Sequence, residues 1–235
     1  MSKTLLKRSF GDILVSKNKR SKRLILKIKT DGTIHLSAPI FASTKEITRF
    51  IDSKQEWIIK NKKIINSRIK IISNTEALQT YSFKVKLQAK ACNEFQAKIE
   101  NEVLYITYPH HLDSQSEYCQ KKFKSIIENA LKHEAKRIIP PLVEQFSLLF
   151  DLPYSQVKIS ASKTRWGSCS HKKNINISYY VLLLPKHLIE YVLLHELCHT
   201  KEMNHGENFW NLLNQVSNHQ AKEISKELKS YSTSI

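Results

Sequence analysis

The segment His195-Glu196-Leu197-Cys198-His199, with His205 six residues further on, is the feature that most constrains this chain. Two histidines four residues apart on an α-helix lie on the same face, one turn apart. At that spacing both imidazoles can bind one Zn²⁺, and Glu196 can accept a proton from a water at the metal. The segment therefore predicts a helix that carries a metal site.

The residues around this segment predict that the helix is buried. Pro185 suits the first turn of a helix, and no further Gly or Pro occurs before Gly206. Apolar side chains occupy almost every side of the helix between these two residues. Because unpaired His and Glu side chains would be costly in such surroundings, a bound metal that satisfies them is favoured.

A catalytic zinc site has three protein ligands and one open position. His205 lies too far beyond His199 to stay on the same helical face, so the chain must turn between them. We expect the turn at Asn204, since asparagine tolerates left-handed geometry, and we favour His205 as the third ligand. The alternative third ligand is a carboxylate on a later helix, either Glu223 or Glu227. Glu202 and Glu207 are nearer in sequence, but we expect them to face solvent.

Length and composition set the broader limits. The 235 residues suffice for one domain or two small ones, and the formal net charge is +17. That charge favours anionic partners, nucleic acid among them, although no zinc-finger spacing or arginine-glycine tract indicates a dedicated module. Four cysteines without a CxxC pair, and no apolar run of about 20 residues, predict a reduced cytoplasmic protein without a membrane span.

The first 112 residues predict a strand-rich domain with one long helix. Strands are expected at residues 24–29 and 34–36, joined by a turn at residues 30–33, and again at 81–87, 95–99 and 103–108. Ser43 and Glu46 have the order of a capping box, and the helix that they begin extends past Trp57. Trp57 lies on the apolar stripe of that helix, so we interpret it as a core residue.

Residues 113–235 predict a second domain. A helix is expected from about residue 115 to 149, with a break or kink at Pro140-Pro141. Strands at residues 157–160 and 174–179 enclose the loop Lys163–Ser170. In this loop Arg165 offers a cation and Gly167 a backbone that a ligand can approach closely. The loop either lines an active site or is held by a buried tryptophan.

The quoted motifs carry a family resemblance. Arg-Trp-Gly-Ser-Cys-Ser, a strand and a proline, Tyr-Val-Leu-Leu-His-Glu-Leu-Cys-His and Asn-His-Gly-x-x-Phe-Trp resemble the YgjP-like metal-dependent hydrolases. These belong to a wider group of HExxH zinc proteins that includes the SprT-like and Wss-type metallopeptidases. The resemblance implies an α+β fold, in which a strand-rich unit precedes a zincin-like domain with a small sheet and an HExxH helix. It also implies that His195, His199 and His205 bind zinc and that Glu196 is the general base.

Three functions follow from these patterns. A zinc metallopeptidase would bind its peptide along an edge strand, which residues 175–179 could form. The alternatives are a zinc-dependent hydrolase of an anionic small molecule, such as a nucleoside triphosphate, and a nucleic-acid-associated protein with a structural metal. The side chains considered for stabilising a developing oxyanion are Arg165, Tyr179, Tyr180 and His187.

Overall fold

A computed structural model of the chain describes residues 3–29, 32–68, 71–74, 78–233 and 235. The described residues form ten β-strands in three small sheets and six α-helices, so the α+β prediction is confirmed. Contacts divide the chain into two compact units, Met1–Lys70 and Ile71–Ile235. We call them the N-unit and the C-unit.

The N-unit is a four-stranded sheet followed by two helices. Its elements are β1 (Lys3–Leu6), β2 (Ile13–Asn18), β3 (Ile25–Ile28), β4 (Ile34–Pro39), α1 (Thr44–Ser53) and α2 (Gln55–Arg68). The strand order is β1-β2-β4-β3, in which only β2 and β4 run parallel. Strands β1 and β2 were not predicted from the sequence.

The predicted hairpin and helix cap of the N-unit are both present. Strands β3 and β4 pair antiparallel, and Gly32 has a φ of 79° in the turn between them. Residues 30 and 31 of that predicted turn lie outside the described residues. Ser43 caps α1, its side chain accepting a hydrogen bond from the backbone N–H of Glu46 at 3.2 Å.

Two predictions for this region are wrong. The single long helix is two helices, since α1 ends at Ser53 and α2 begins at Gln55. Trp57 is not a core residue, because 44% of it is exposed. The core interpretation assumed that Phe50 and Trp57 lie on one face of a single helix. Because they lie on two different helices, their spacing in sequence does not place them on a common apolar face.

The C-unit combines two three-stranded sheets with one long helix and three shorter ones. Its elements are β5 (Lys84–Lys90), β6 (Gln96–Glu100), β7 (Val103–Pro109), α3 (Glu117–Leu149), β8 (Gln156–Ser160), β9 (Gly167–Cys169), β10 (Asn174–Ser178), a 3-10 helix (Tyr179–Leu183), α4 (Lys186–Cys198), α5 (Glu207–Val216) and α6 (Ala221–Leu228).

One apolar core joins these elements. Leu104 and Ile106 of β7, and Phe83 just before β5, are buried in the same cluster as Phe123 of α3 and Leu193 of α4. Helix α3 continues unbroken through Pro140 and Pro141, so the break predicted there does not occur. Both prolines lie in the last third of a helix whose packed face extends to Val143, and this packing offsets the lost backbone hydrogen bonds.

The second sheet has the order β8-β10-β9. Strand β10 pairs parallel with β8 and antiparallel with β9, so it is the central strand. The prediction that residues 175–179 form the edge is therefore wrong. The short strand β9, which lies in the predicted loop, takes an edge position instead.

The domain boundary predicted after residue 112 stays a prediction, since compact units are defined by contacts and domains by independent folding. All four cysteines are free thiols. Among the described helices, none combines the length and apolar character required to cross a bilayer.

Candidate metal centre

Helix α4 and its C-cap position carry the first two predicted metal ligands, His195 and His199. Pro185 is its N-cap residue, and the helix begins at Lys186, as the fixed φ of proline favours. The predicted burial is confirmed, because nine of its residues are buried, Glu196 among them. The helix ends at Cys198, and His199 is the C-cap residue.

The chain turns sharply between His199 and His205. Three consecutive backbone N–H groups after His199 donate back to Leu197 and Cys198, which closes the helix end. A second tight turn is centred on His205, where the N–H of Gly206 donates to the carbonyl of Asn204 at 2.8 Å. None of the residues 199–206, all of which the structure describes, has a positive φ. The expected left-handed geometry at Asn204 is therefore wrong.

This double turn brings the three predicted histidines together. One ring nitrogen from each of His195, His199 and His205 lies within 4.8 Å of the others. The Nε2 atoms of His195 and His205 are 3.1 Å apart. Two nitrogens bound to one tetrahedral zinc are about 3.3 Å apart, given Zn–N distances of about 2.0–2.1 Å. The spacing of the donor set therefore fits such an ion.

The protonation states of His195 and His199 also fit a metal. Burial lowers the pKa of His195 to about 3, and His199 and His205 act in the same direction. Burial likewise lowers the pKa of His199. Nδ1 of His199 donates to the carbonyl oxygen of Glu202 at 3.0 Å, which leaves its Nε2 with a free lone pair. Neutral imidazoles with an accessible lone pair are the form that metals require.

Phe209 of α5 packs against all three imidazoles, and the sequence analysis did not assign it to the site. Its ring centroid lies 4.9 Å from that of His195, 4.5 Å from His199 and 4.7 Å from His205. Phe209 is fully buried and is four residues after His205 at the start of a helix. That spacing, with an apolar residue one helical turn beyond a candidate ligand, was the available signal.

Glu196 lies between α4 and strand β9. The residue is 6% exposed. A Cβ placed on Gly167 would lie 2.6 Å from both Cγ and Oε1 of Glu196, so no larger residue fits without displacing this side chain. Gly167 does permit a close approach, but where the sequence predicted the approach of a ligand, the group that lies there is the side chain of Glu196.

Arg165 is exposed just before β9, and its charge reaches the same carboxyl group. Burial raises the pKa of Glu196 to about 8, and the Arg165 guanidinium opposes this by lowering it. Cys169 is also close, since burial and then the charge of Glu196 raise the pKa of its thiol. The loop that sequence analysis singled out is thus electrostatically coupled to Glu196.

The described elements therefore bring three imidazoles together, and buried Glu196 directly follows the first of them on α4. A family model described as YgjP-like, metallopeptidase domain, matches residues 22–231. The chain belongs to the YgjP-like metallopeptidase family. Among solved structures it is similar to the metallopeptidase zymogen of Pyrococcus abyssi abylysin, with 26% identity over 40% of this chain and 93% of that chain, and a TM-score of 0.36. No curated protein matches the chain.

In this YgjP-like chain, buried Ser178 holds both ends of the loop that carries Arg165. Its hydroxyl donates to the carbonyl of Ser162 at 2.6 Å, and its backbone N–H donates to the carbonyl of Trp166 at 2.8 Å. The side chain of Thr233 donates to the carbonyl of Lys163 at 2.7 Å. The loop is therefore fixed at three of its backbone carbonyls.

A side-chain network reinforces this loop from α3. Glu128 accepts a hydrogen bond from the Tyr180 hydroxyl at 2.6 Å and pairs with the Lys163 ammonium at 3.0 Å. The Tyr179 hydroxyl donates to that of Tyr180 at 3.3 Å. Burial and the bond to Glu128 raise the pKa of Tyr180.

The contacts of the remaining candidate side chains, those considered for oxyanion stabilisation or as the third metal ligand, are as follows. The hydroxyls of Tyr179 and Tyr180 donate within the network just described. His187 lies in the first turn of α4 and pairs with Glu227 at 2.9 Å, more than two helical turns before His199. Among the described residues, Glu223 and Glu227 do not join the group of three histidines.

Proposed function

We propose that this chain is a zinc-dependent metallopeptidase whose metal ligands are His195, His199 and His205. Glu196 is its general base. The observation that carries the proposal is the approach of three imidazole nitrogens to within 4.8 Å of one another on α4 and the turn after it. Buried Glu196 directly follows the first of these histidines on the same helix. Membership of the YgjP-like family supports it.

Zinc, when bound, supplies a Lewis acid that polarises the attacked carbonyl and lowers the pKa of water toward about 7. Glu196 accepts the proton of the attacking water at a carboxylate oxygen and returns it to the leaving amine nitrogen. A cation held by the three imidazoles would lower the pKa of Glu196, the direction in which Arg165 already acts, and so would favour the ionised form that a base requires. Phe209 and Gly167 hold the rings and the carboxylate in place.

Strand β9 is the element that we propose binds the peptide. Ser178 bonds to Trp166 and Ser170 bonds to Asn174, and in an antiparallel ladder such bonds occur at alternate residues. The backbone groups of Gly167 and Cys169 therefore point away from β10 and are available at the edge of the sheet. An extended peptide that pairs with them would lie beside Glu196.

Arg165 precedes this edge, and we propose that it attracts the substrate or stabilises the developing oxyanion. Its exposed guanidinium is coupled to Glu196, whereas the hydroxyls of Tyr179 and Tyr180 already have partners. A charge-assisted hydrogen bond from Arg165 would be about twice as strong as a neutral one.

Metal analysis combined with turnover tests the proposal. Zinc-loaded wild type should cleave peptides from a mixed library, and a chelator should abolish the cleavage. Glu196→Gln should keep its metal and its fold but lose about a hundredfold or more in rate, because the amide cannot accept the proton. His205→Ala should lose zinc affinity, whereas Glu223→Ala, the matched control, should retain it.

Two results would contradict this assignment. If His205→Ala binds zinc like wild type while Glu223→Ala does not, the third ligand is the carboxylate. If zinc-loaded protein cleaves nucleoside triphosphates and no peptide, the anionic small-molecule alternative is correct.

A further inference from the structure

The positive charge of this protein is concentrated in one unit. The N-unit holds 18 of the 38 Lys and Arg residues but only five of the 21 Asp and Glu residues. Its formal net charge is therefore +13, whereas the 165 residues of the C-unit carry only +4. A metal site in the C-unit does not account for this asymmetry. A charge of this size on 70 residues indicates an anionic partner for the N-unit itself.

A groove on the N-unit joins this charge to an aromatic surface. The groove has a volume of about 320 Å³, and its lining residues are Arg23, Leu24, Ile25, Leu26, Phe50, Lys54 and Trp57. It runs beside edge strand β3 and along the junction of α1 and α2. Its walls are thus apolar, with two exposed cations among them.

Trp57 is the central feature of this groove. It is 44% exposed, although a tryptophan on a helix is ordinarily packed against the core. No described residue that lines the groove is acidic. Asp52 pairs with Arg8 at 3.4 Å, so one nearby carboxylate is partly neutralised, while Glu56 remains exposed next to Trp57. An exposed indole beside cations can stack on a flat ring while the cations bind phosphates.

The groove fits unpaired bases better than other polyanions. The paired bases of a duplex are stacked inside the helix and could not reach an indole that lies in a groove. The carboxylates of an acidic peptide would use the cations but would not themselves cover the aromatic wall. A membrane surface would instead engage the tip after β4, where Phe41 is 81% exposed and Ile40 is 51% exposed.

We propose that the N-unit binds single-stranded nucleic acid in the groove between β3 and the α1–α2 junction, with a base stacked on Trp57 and phosphates bound by Arg23 and Lys54. This function is separate from the metal centre and does not depend on the proposed peptidase activity.

The test is fluorescence anisotropy of the full chain with a labelled oligothymidylate of about 20 nucleotides, at several salt concentrations. We expect binding whose logarithmic salt dependence has a slope of about −0.7 for each phosphate contact. Trp57→Leu, which keeps apolar bulk, should weaken binding by about tenfold or more, whereas Trp57→Phe, which keeps a ring for stacking, should lose less. A duplex of this oligothymidylate with its complementary strand should bind more weakly than the single strand.

A matched pair of double substitutions separates the groove from general charge. Arg23→Glu with Lys54→Glu changes the charge as much as Lys132→Glu with Lys222→Glu, whose residues are exposed in the C-unit. The first pair should abolish most of the binding, and the second should leave it nearly intact. Circular dichroism of each variant checks its folding.

Three outcomes would overturn the proposal. Equal losses of affinity in both double variants would mean that binding depends on the net charge of the protein and not on the groove. Equal affinity of Trp57→Leu and wild type would exclude stacking on the indole. Binding to phosphatidylserine vesicles that depends on Phe41, with no binding to the oligonucleotide, would identify a membrane surface as the partner.

Discussion

Glu196 is the residue whose surroundings define what the candidate site can do. It follows His195 directly, so the helix that presents the metal ligands also presents the carboxyl group. The side chain is buried against the backbone of Gly167, and the charge of Arg165 reaches it. Two residues that are distant from Glu196 in sequence, Gly167 and Arg165, therefore influence the position and the ionisation of its carboxyl group.

Gly167→Ala tests whether this close approach matters. The added methyl group would lie 2.6 Å from Cγ and Oε1 of Glu196 and must displace them. We expect turnover to fall by about a hundredfold, the scale of a lost general base, and stability to fall by about 1–3 kcal/mol. Steady-state kinetics and urea unfolding measure the two effects.

Gly206→Ala is the matched control, because nothing lies within 4 Å of a Cβ at that position. It should lose only about 1 kcal/mol, the typical difference at a helix N-cap, with little change in turnover. Similar kinetic losses in both variants would mean that the effect at Gly167 does not come from Glu196.

Arg165→Met tests the role of the cation at the same scale. The substitution keeps most of the bulk and removes the charge, so turnover should fall by roughly tenfold or more while the melting temperature barely changes. Lys158→Met, an exposed substitution on β8 at the other edge of the sheet, is the control. A lower melting temperature with unchanged activity per folded molecule would instead make Arg165 a structural residue.

At the scale of elements, the site depends on how the end of β10 and helix α3 hold the loop before β9. Ser178 ends β10 and binds the loop at two carbonyls, and Glu128 of α3 binds it through Lys163. Because Arg165 and Gly167 follow directly, these contacts set where the edge strand lies relative to α4.

The contacts of Glu128 predict a specific dependence on pH. Burial raises the pKa of Glu128, but hydrogen bonds from Tyr180 and Lys163 outweigh this, so the folded-state pKa is lowered from 4.5. A lowered carboxyl pKa contributes stability that is present above the unfolded pKa and is lost as the pH falls through the folded value. The stability gap between wild type and Glu128→Gln should therefore shrink below about pH 4.5.

Urea unfolding between about pH 3 and pH 7 measures this gap. Glu144→Gln, which alters an exposed carboxylate on the same helix, is the control and should show a small gap throughout. If the difference in unfolding free energy between wild type and Glu128→Gln stays constant over the whole pH range, ionised Glu128 does not stabilise the fold through this network.

At the scale of the molecule, the arrangement of the core decides which fragment can fold alone. Phe123 of α3 packs edge-on against Phe95 and Tyr108, with ring centroids 5.8 Å and 5.2 Å away. The first sheet of the C-unit therefore covers the helix that supports the metal centre.

Two fragments, residues 71–235 and 113–235, test this arrangement. We expect the fragment 71–235 to unfold cooperatively and to bind zinc as the full chain does, because it contains the whole apolar core of the C-unit. The shorter fragment should unfold at a lower temperature, since the apolar face of α3 would be exposed to water. Equal melting temperatures would support the domain boundary predicted after residue 112.

The sequence alone determined the features that depend on neighbours along the chain. The helix of His195 and His199, its burial, the β3–β4 hairpin and the Ser43 cap all follow from local spacing and were predicted correctly. The YgjP-like family was also recognised from motifs. Helix periodicity and capping act within a few residues, so they can be read before the chain is folded.

Only the tertiary structure decided which residues surround Glu196 and which strand lies at the edge. The contact of Gly167 with Glu196, the packing of Phe209 and the exposure of Trp57 each join segments that no local pattern relates. The edge position of β9 depends on how β10 pairs with two strands at once. These features are set by packing and pairing between distant segments, where burial and shape outweigh local propensity.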